Sequence, residues 1–579
     1  MSAPVFPDPS VLKFGVWLVF PYLFDLGPDS FAAFQKRCVE LGTRLGRGGP
    51  LKGELSMRLR LPGALQGRGE LDRWFIREVS ALLRSASERP DERGRNKFLF
   101  MGFDRGGAPL EQGYKLAVLK APRKGDPGEG VVAEVFEHAE LEILGVLTQA
   151  GAVMLLVHAR LTELPGEGGE RGRGGRSPEL SLRDAMNLTY YASLCQIYST
   201  NTFLALIPSD LAPPVEGTTA ALRELKLPAE ELKRCLHLHP DPQNADPEDK
   251  QGYGPIRLHL GDLGGSLPAQ LCGRITAELG SYTTYVATRG KVPVASMYVI
   301  DPATAGGDNE GLRVLEGLAA RSLRHPASSP IVPLPLRDIE AEEFQVFRVS
   351  GSQTFYISCE GLCAFGSNAT MFDERFWPQR VGSEYLLTFL LVLHQALICQ
   401  DISWKSYTDA NRTREQQGTY SARNTEALIK QFHEFNTDYN FSVVSHQYNI
   451  QRLYRCARVA LGVERTIGGI HSELMAWLEA ESREEQQALN SLAVFSILFS
   501  AAALFANCNL NEFNKDARLS LSHAITGKEP AAEQADRTTS ALGWFVAPAV
   551  AVVLFTLVMA RRGSLGRHLR RIRRLFLGG

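Results

Sequence analysis

Polar and apolar positions follow three successive patterns along the chain. The first two thirds mixes short β-type runs with helical periods. Phe14 to Phe20 (FGVWLVF), rich in aromatic and β-branched residues, predicts a buried strand. Ser30 to Leu45 predicts a helix with Asp29 or Ser30 as N-cap. Lys52 to Leu61 and Lys97 to Gly102 predict strands, and Glu70 to Leu83 carries apolar residues at helical spacing. Leu141 to Leu147 and Val153 to Leu161 predict a hairpin turning at Ala150-Gly151. Ser181 to Tyr198 predicts an amphipathic helix opened by Ser181, with Asp184 in its first turn.

A second region follows from about residue 211. Ile256 to Leu260, and Ser281 to Val286 or Pro293 to Ile300, predict strands; Leu312 to Leu323 predicts a helix. Phe344 to Val349 and Thr354 to Ser358, split by Ser350-Gly351-Ser352, predict a hairpin. Residues 1–210 and 211–381 thus form one large or two smaller mixed units, of α/β or α+β class. Pro165 to Ser177 (PGEGGERGRGGRS) is low-complexity loop sequence without a phosphate-binding glycine motif.

From Gly382 helices dominate. Tyr385 to Gln400 is strongly apolar, but its length falls short of a span, His394 and Gln395 sit inside it, and Asp401 closes it. It predicts a buried helix of a bundle covering residues 382–488. Thr425 to Phe435, Val443 to Leu461 and Thr466 to Leu489 continue the bundle, with Gly468-Gly469 as the one weak point before the chain enters an apolar run.

Two runs then stand apart. Leu492 to Ala506, with its flanks (489–510), and the uncharged Ala541 to Ala560 approach the ~20 apolar residues that an α-helix needs to cross a hydrocarbon core. They predict two transmembrane helices joined by an outer loop at 511–540. Arg561, Arg562, Arg567, Arg570, Arg571, Arg573 and Arg574 follow without an acidic residue in the tail at 561–579, whereas the loop mixes both signs. The excess of arginine places the C-terminus inside, and two crossings return the N-terminal body to the same side. The same arginines suit anionic lipid headgroups.

Composition adds little to this. Hydrophobic residues make up 44% and charged residues 22% of 579, enough apolar material for a core of two or three domains. The net charge of −1 hides a basic tail on a slightly acidic body, which argues against general nucleic-acid binding. Nine scattered cysteines suggest no disulfide framework and fit a reducing compartment. Phe14 to Phe24 is too short an apolar run for a signal peptide, so insertion relies on the late helices.

Candidate chemistry is sparse. On the first membrane helix Ser496, Ser500, Ala503 and Asn507 fall on one face at ~100° per residue, with Val494, Leu498 and Phe505 opposite. That stripe suits either a pore lined by symmetry-related copies or close helix packing. Cys235, His237 and His239, with His259, form the one metal-like cluster, since alternation along a strand puts the first three on one face; incidental histidines are the simpler alternative. No G-x-S-x-G, H-E-x-x-H or kinase set is present, and nothing asks for an enzyme.

The order of a mixed domain, a helical bundle, a long helix entering a first span, an outer loop, a second span and a basic tail resembles the CorA-type divalent-cation (magnesium/cobalt) transporter superfamily and its diverged bacterial relatives. The similarity covers roughly residues 344–579. It is carried by Leu393-His394-Gln395 and by Phe441 to Leu478 (FSVVSHQYNIQRLYRCARVALGVERTIGGIHSELMAWL). The resemblance implies a homo-oligomer, pentameric in the family, in a bacterial inner membrane, with a divalent cation such as Mg2+ as cargo. The chain departs from the family at its signature Gly-Met-Asn. The corresponding place reads Phe505-Ala506-Asn507-Cys508-Asn509, so magnesium selectivity does not carry over. The region before Phe344 has no counterpart in the family and is the expected place for a ligand or a protein partner to act.

Overall fold

In the computed structural model the described residues lie between Asp8 and Ser500, and they are discontinuous beyond Glu479. The longer stretches outside the described set are 61–69, 84–96, 121–130, 165–177, 195–201, 240–262, 302–308, 326–343, 416–421 and 501–579. The chain divides into two compact units, Met1–Glu473 and Leu474–Gly579.

The first unit is α+β and is built around one strand. β1 (Val11–Phe24) is almost wholly buried along its 14 residues, as a central strand covered on both faces must be. Pro21 lacks an N–H, and a proline inside a central strand needs a place where none is called for. The partner on that side changes here: β13 (Val294–Ile300) pairs with β1 as far as Leu18, and β12 (Thr284–Val286) takes over from Tyr22. Pro21 sits in the gap, its carbonyl accepting from Ala287 N at 3.0 Å.

Eleven strands form the large sheet. Five of them are β2 (Leu55–Leu59), β3 (Phe98–Arg105), β4 (Ala108–Pro109), β7 (Ala139–Thr148) and β8 (Ala152–Leu161). The last three are β14 (Gln345–Ser350), β15 (Gln353–Ser358) and β16 (Gly361–Ser367). The order is β14-β15-β16-β13-β1-β8-β7-β3-β2, with β12 beside β1 and β4 beside β3. Neighbours are antiparallel except β13 and β16. That parallel pair needs a crossover, and the intervening chain carries a helix, Asn309–Arg321. Strands from residues 1–210 and 211–381 therefore share one sheet.

A second, five-stranded antiparallel sheet runs β10-β6-β5-β9-β11. Its members are β5 (Tyr114–Lys120), β6 (Val131–Phe136), β9 (Thr202–Pro208), β10 (Leu222–Leu227) and β11 (Leu236–His237). Leu116, Val118, Leu204 and Leu206 turn one face into the main core, while Ala117, Leu119, Ala205 and Ile207 build a separate cluster on the other.

Helices follow their apolar stripes. α1 (Phe31–Gly46) buries Phe34, Cys38, Leu41 and Leu45. The helical pattern at Glu70 to Leu83 breaks into α2 (Glu70–Trp74) and α3 (Arg77–Leu83), because the Ile76 N–H is drawn out to Val444 O at 2.9 Å. α4 (Leu182–Ser193) is capped by Ser181, whose Oγ accepts from Asp184 N at 3.1 Å, as its sequence predicts. α5 (Leu267–Leu279) is capped by Ser266 with Pro268 in its first turn; α6 is the crossover helix Asn309–Arg321.

The C-terminal helices of this unit are α7 (Met371–Arg380), a π turn at Val381–Tyr385, α8 (Leu386–Glu415), α9 (Ala422–Asp438) and α10 (Tyr448–Ala460). Phe376–Tyr407 is the one described helical stretch long and apolar enough to cross a membrane, and 89% of its most apolar window is buried within the body. It packs on the sheet face carrying Phe98, as a core helix does. α10 starts later than the apolar period suggests, since Gln451 Oε1 accepts from Val444 N at 2.9 Å and holds the preceding segment as a loop. The strand expected at Ile256 to Leu260 and the loop at Pro165 to Ser177 lie outside the described residues.

Candidate functional site

In the second unit the described helical positions reach Ser500. Leu489, Val494 and Ile497 are 61%, 54% and 69% exposed. These three apolar side chains are open to the surroundings of this segment. The hydroxyls are treated differently. Ser500 Oγ donates to Ser496 O at 2.8 Å, and Ser491 Oγ donates to Gln487 O at 2.7 Å. Bonding back to the fourth preceding carbonyl lets a hydroxyl sit on a helix without a water partner.

Of the stripe expected to line a pore, Ser496 and Ser500 are exposed helical residues one turn apart. Ala503 and Asn507 lie outside the described residues, as do the outer loop, the second apolar run and the tail arginines Arg561, Arg562, Arg567, Arg570, Arg571, Arg573 and Arg574.

Within the first unit, a buried polar junction ties α8 to the helices that follow. Gln395 Nε2 donates to Tyr439 O at 2.5 Å and to Tyr454 Oη at 3.0 Å. Arg458 Nη1 donates to Asn440 Oδ1 at 2.8 Å and to Tyr454 Oη at 2.9 Å, and Tyr454 Oη donates to Phe441 O at 2.7 Å. Further along α8, Ser406 Oγ donates to Glu473 Oε2 at 2.7 Å, and Asp401 accepts from Lys405 Nζ at 2.6 Å and from Tyr285 Oη. Val463 and Ile470 are buried on the same helical segment as Glu473. α8 is thus bonded to the sheet side through Tyr285 and to the helical segment that carries Glu473. The sequence signalled one end of this junction, a glutamine inside an apolar run; Tyr454 and Arg458 carry no mark that distinguishes them from surface residues of a helix.

The Cys-x-His-x-His stretch does not lie along one continuous strand. Cys235 closes a 3-10 turn at Glu231–Arg234, and its Sγ contacts Glu231 O at 3.7 Å within the apolar cluster of the small sheet. Burial pushes its thiol up to about 11. His237 is buried and its backbone N–H donates to Gly265 O at 3.0 Å. Burial first, and then the neighbouring His239, bring its pKa down to about 4. The two imidazole centroids are 6.4 Å apart beside a cavity of about 10 Å3, room for one water. Among the described residues no three His, Cys, Asp or Glu converge as a metal site; His259 lies outside them.

Neither a family model, a characterised protein nor a solved structure matches the chain. The resemblance to CorA-type transporters therefore rests on the order of elements and the residues named for it.

Proposed function

We propose that the protein is an oligomeric membrane effector of channel type, whose α+β body acts through the long helix on a C-terminal two-helix hairpin. The observation that carries this is the exposed apolar side chains of Leu489, Val494 and Ile497 on a helix whose Ser491 and Ser500 hydroxyls bond back to the fourth preceding carbonyl. The buried junction at Gln395, Tyr454 and Arg458 and the Ser406–Glu473 bond hold the helical segment at the end of the first unit firmly to the body. One hairpin cannot enclose a path for ions, so conduction calls for several copies around an axis. In that assembly Ser496, Ser500, Ala503 and Asn507 face the path, the Asn507 amide oxygen meets the cation at the outer mouth, and the tail arginines hold the inner leaflet. The cargo is a cation, with a divalent ion such as Mg2+ the first to try.

A second reading draws on the same serines. Because Ser500 Oγ is already bonded to Ser496 O, the stripe also suits helix packing, and the hairpin then anchors a non-conducting sensor or scaffold. Alkaline extraction of membranes from expressing cells, with thiol labelling of single cysteines placed in the outer loop and the tail, tests insertion and topology. Retention in the membrane with the loop outside and the tail inside agrees with both readings. Release of the full-length protein into the soluble fraction refutes both. Replacing the two spans by an unrelated hairpin separates them, since an anchor tolerates the exchange and a channel does not.

A further inference from the structure

A cleft of about 860 Å3 opens where the β2–β3 edge of the large sheet, the small sheet and the N-terminus of α5 meet. This is the size of a small-molecule site. Its charged lining is unbalanced: Arg105, Lys233, Arg234 and Arg274 face Glu54 alone. Two of the cations are already held in place. Arg234 is paired with Asp210 and Glu231, and Arg274 Nε donates to Leu55 O at 2.8 Å while its Nη1 meets Glu278 at 2.7 Å.

The other two have no carboxylate among the described residues. Lys233 is exposed at the mouth. Arg105 Nη1 donates to Tyr114 Oη at 2.7 Å, but its Nε is shut off from water with no acceptor, a costly arrangement for a guanidinium. An anion in the cleft would supply the counter-charge that this guanidinium lacks among the described residues. The loop before α5 brings Gly264, and the first turns of α5 bring Gln270, to the same wall, where the positive end of the helix dipole adds to the field. Gly264 is needed there, since a Cβ would come within 2.5 Å of Lys233 O. Leu55, Pro208 and Leu236 supply an apolar surface beside the charges.

We propose that this cleft binds a small soluble phosphorylated metabolite. Its phosphates lie against Arg105, Lys233 and the start of α5, and its organic portion against Leu55, Tyr114 and Pro208. Arginine suits phosphate through its planar fork of donors, and lysine through a mobile point charge. The site stands apart from the membrane proposal, because all its residues fall between Glu54 and Arg274.

The test is calorimetric titration of the full-length protein in detergent with ATP and with inorganic pyrophosphate, at constant ionic strength. Arg105→Gln/Lys233→Gln is compared with Lys430→Gln, an exposed cation on α9. The expected result is binding of both probes by the parent, weakened at least tenfold in the double variant and unchanged in Lys430→Gln. Lys233→Gln alone, at an exposed position, carries the comparison if the double variant loses its thermal transition, and a severalfold loss is then expected. Short-chain phosphatidylglycerol provides a third arm. Binding of that lipid without either soluble phosphate overturns the proposal, as does no binding by folded protein or binding indifferent to the substitutions.

Discussion

His394 of α8 meets Phe98 of β3 edge-on, with ring centroids 5.1 Å apart, and neither imidazole nitrogen has a hydrogen-bond partner among the described residues. The ring is wholly buried and also lies 4.9 Å from Tyr439. Burial brings its pKa down to about 3, so it is neutral in the folded protein.

In the unfolded chain a histidine takes a proton near pH 6.5, whereas the folded site resists until about pH 3. Between those values the unfolded state binds more protons, and stability falls as pH falls, by at most about 1.4 kcal/mol per pH unit. His394→Leu should remove this component and flatten the loss of thermal stability from pH 6.5 to 4.5. An unchanged slope in the variant would assign the acid sensitivity to other groups.

Arg458 sits at the centre of the buried junction, and its removal strands several partners. Arg458→Ala leaves Asn440 Oδ1 without its 2.8 Å donor and Tyr454 Oη without its 2.9 Å donor. The expected cost is about 2–4 kcal/mol, read as a lowered midpoint in thermal or denaturant unfolding. A loss below about 0.5 kcal/mol would place the junction among surface polar contacts.

Gly361 opens β16 at φ 154°, and a Cβ there would collide with the carbonyl oxygen of Val294 in the parallel partner. Gly361→Ala should cost about 3 kcal/mol or prevent folding altogether. Soluble yield and melting temperature check this. Gly351→Ala is the control, because nothing lies within 4 Å of a Cβ at that turn.

How much was legible in the sequence depended on whether the signal was local. β1, the β7–β8 hairpin and the Ser181 cap announce themselves through runs, turns and a capping pair within a few residues of one another. The small sheet did not. Its strands such as Leu222–Leu227 (LRELKL) are short and partly polar, and they pair across gaps of many residues. The break at Ile76 and the late start of α10 have the same origin, a hydrogen bond to a segment more than 360 residues away at Ile76 and a side chain reaching back over the loop at Gln451. The cationic cleft was hidden for a further reason. Arg105, Lys233 and Arg274 come from three elements that only the tertiary fold brings together.

Within the hairpin, Ser500→Leu adds bulk to the stripe, Leu489→Glu puts a charge in register with that stripe at the start of the run, and Val494→Glu puts one on the opposite, apolar face. A charge on a membrane-facing position costs about 2.5–3.5 kcal/mol at mid-span and less near an interface. Leu489→Glu should therefore reduce membrane retention only partly, while Val494→Glu, deeper in the run, should reduce it more. Equal retention of both variants and the parent would contradict an inserted helix at 489–500.

The most direct test of the channel proposal is ion flux into liposomes carrying the purified full-length protein. Parent, Ser500→Leu and Asn507→Ala are compared with lipid alone, each variant first checked for assembly. Cation flux in the parent that falls at least severalfold in both variants, with assembly intact, is the predicted result. Flux that is the same in parent and variants, or no flux from an assembled oligomer with monovalent and divalent cations and the cleft's phosphate ligands present, would contradict a path lined by this helix and leave the hairpin as an anchor.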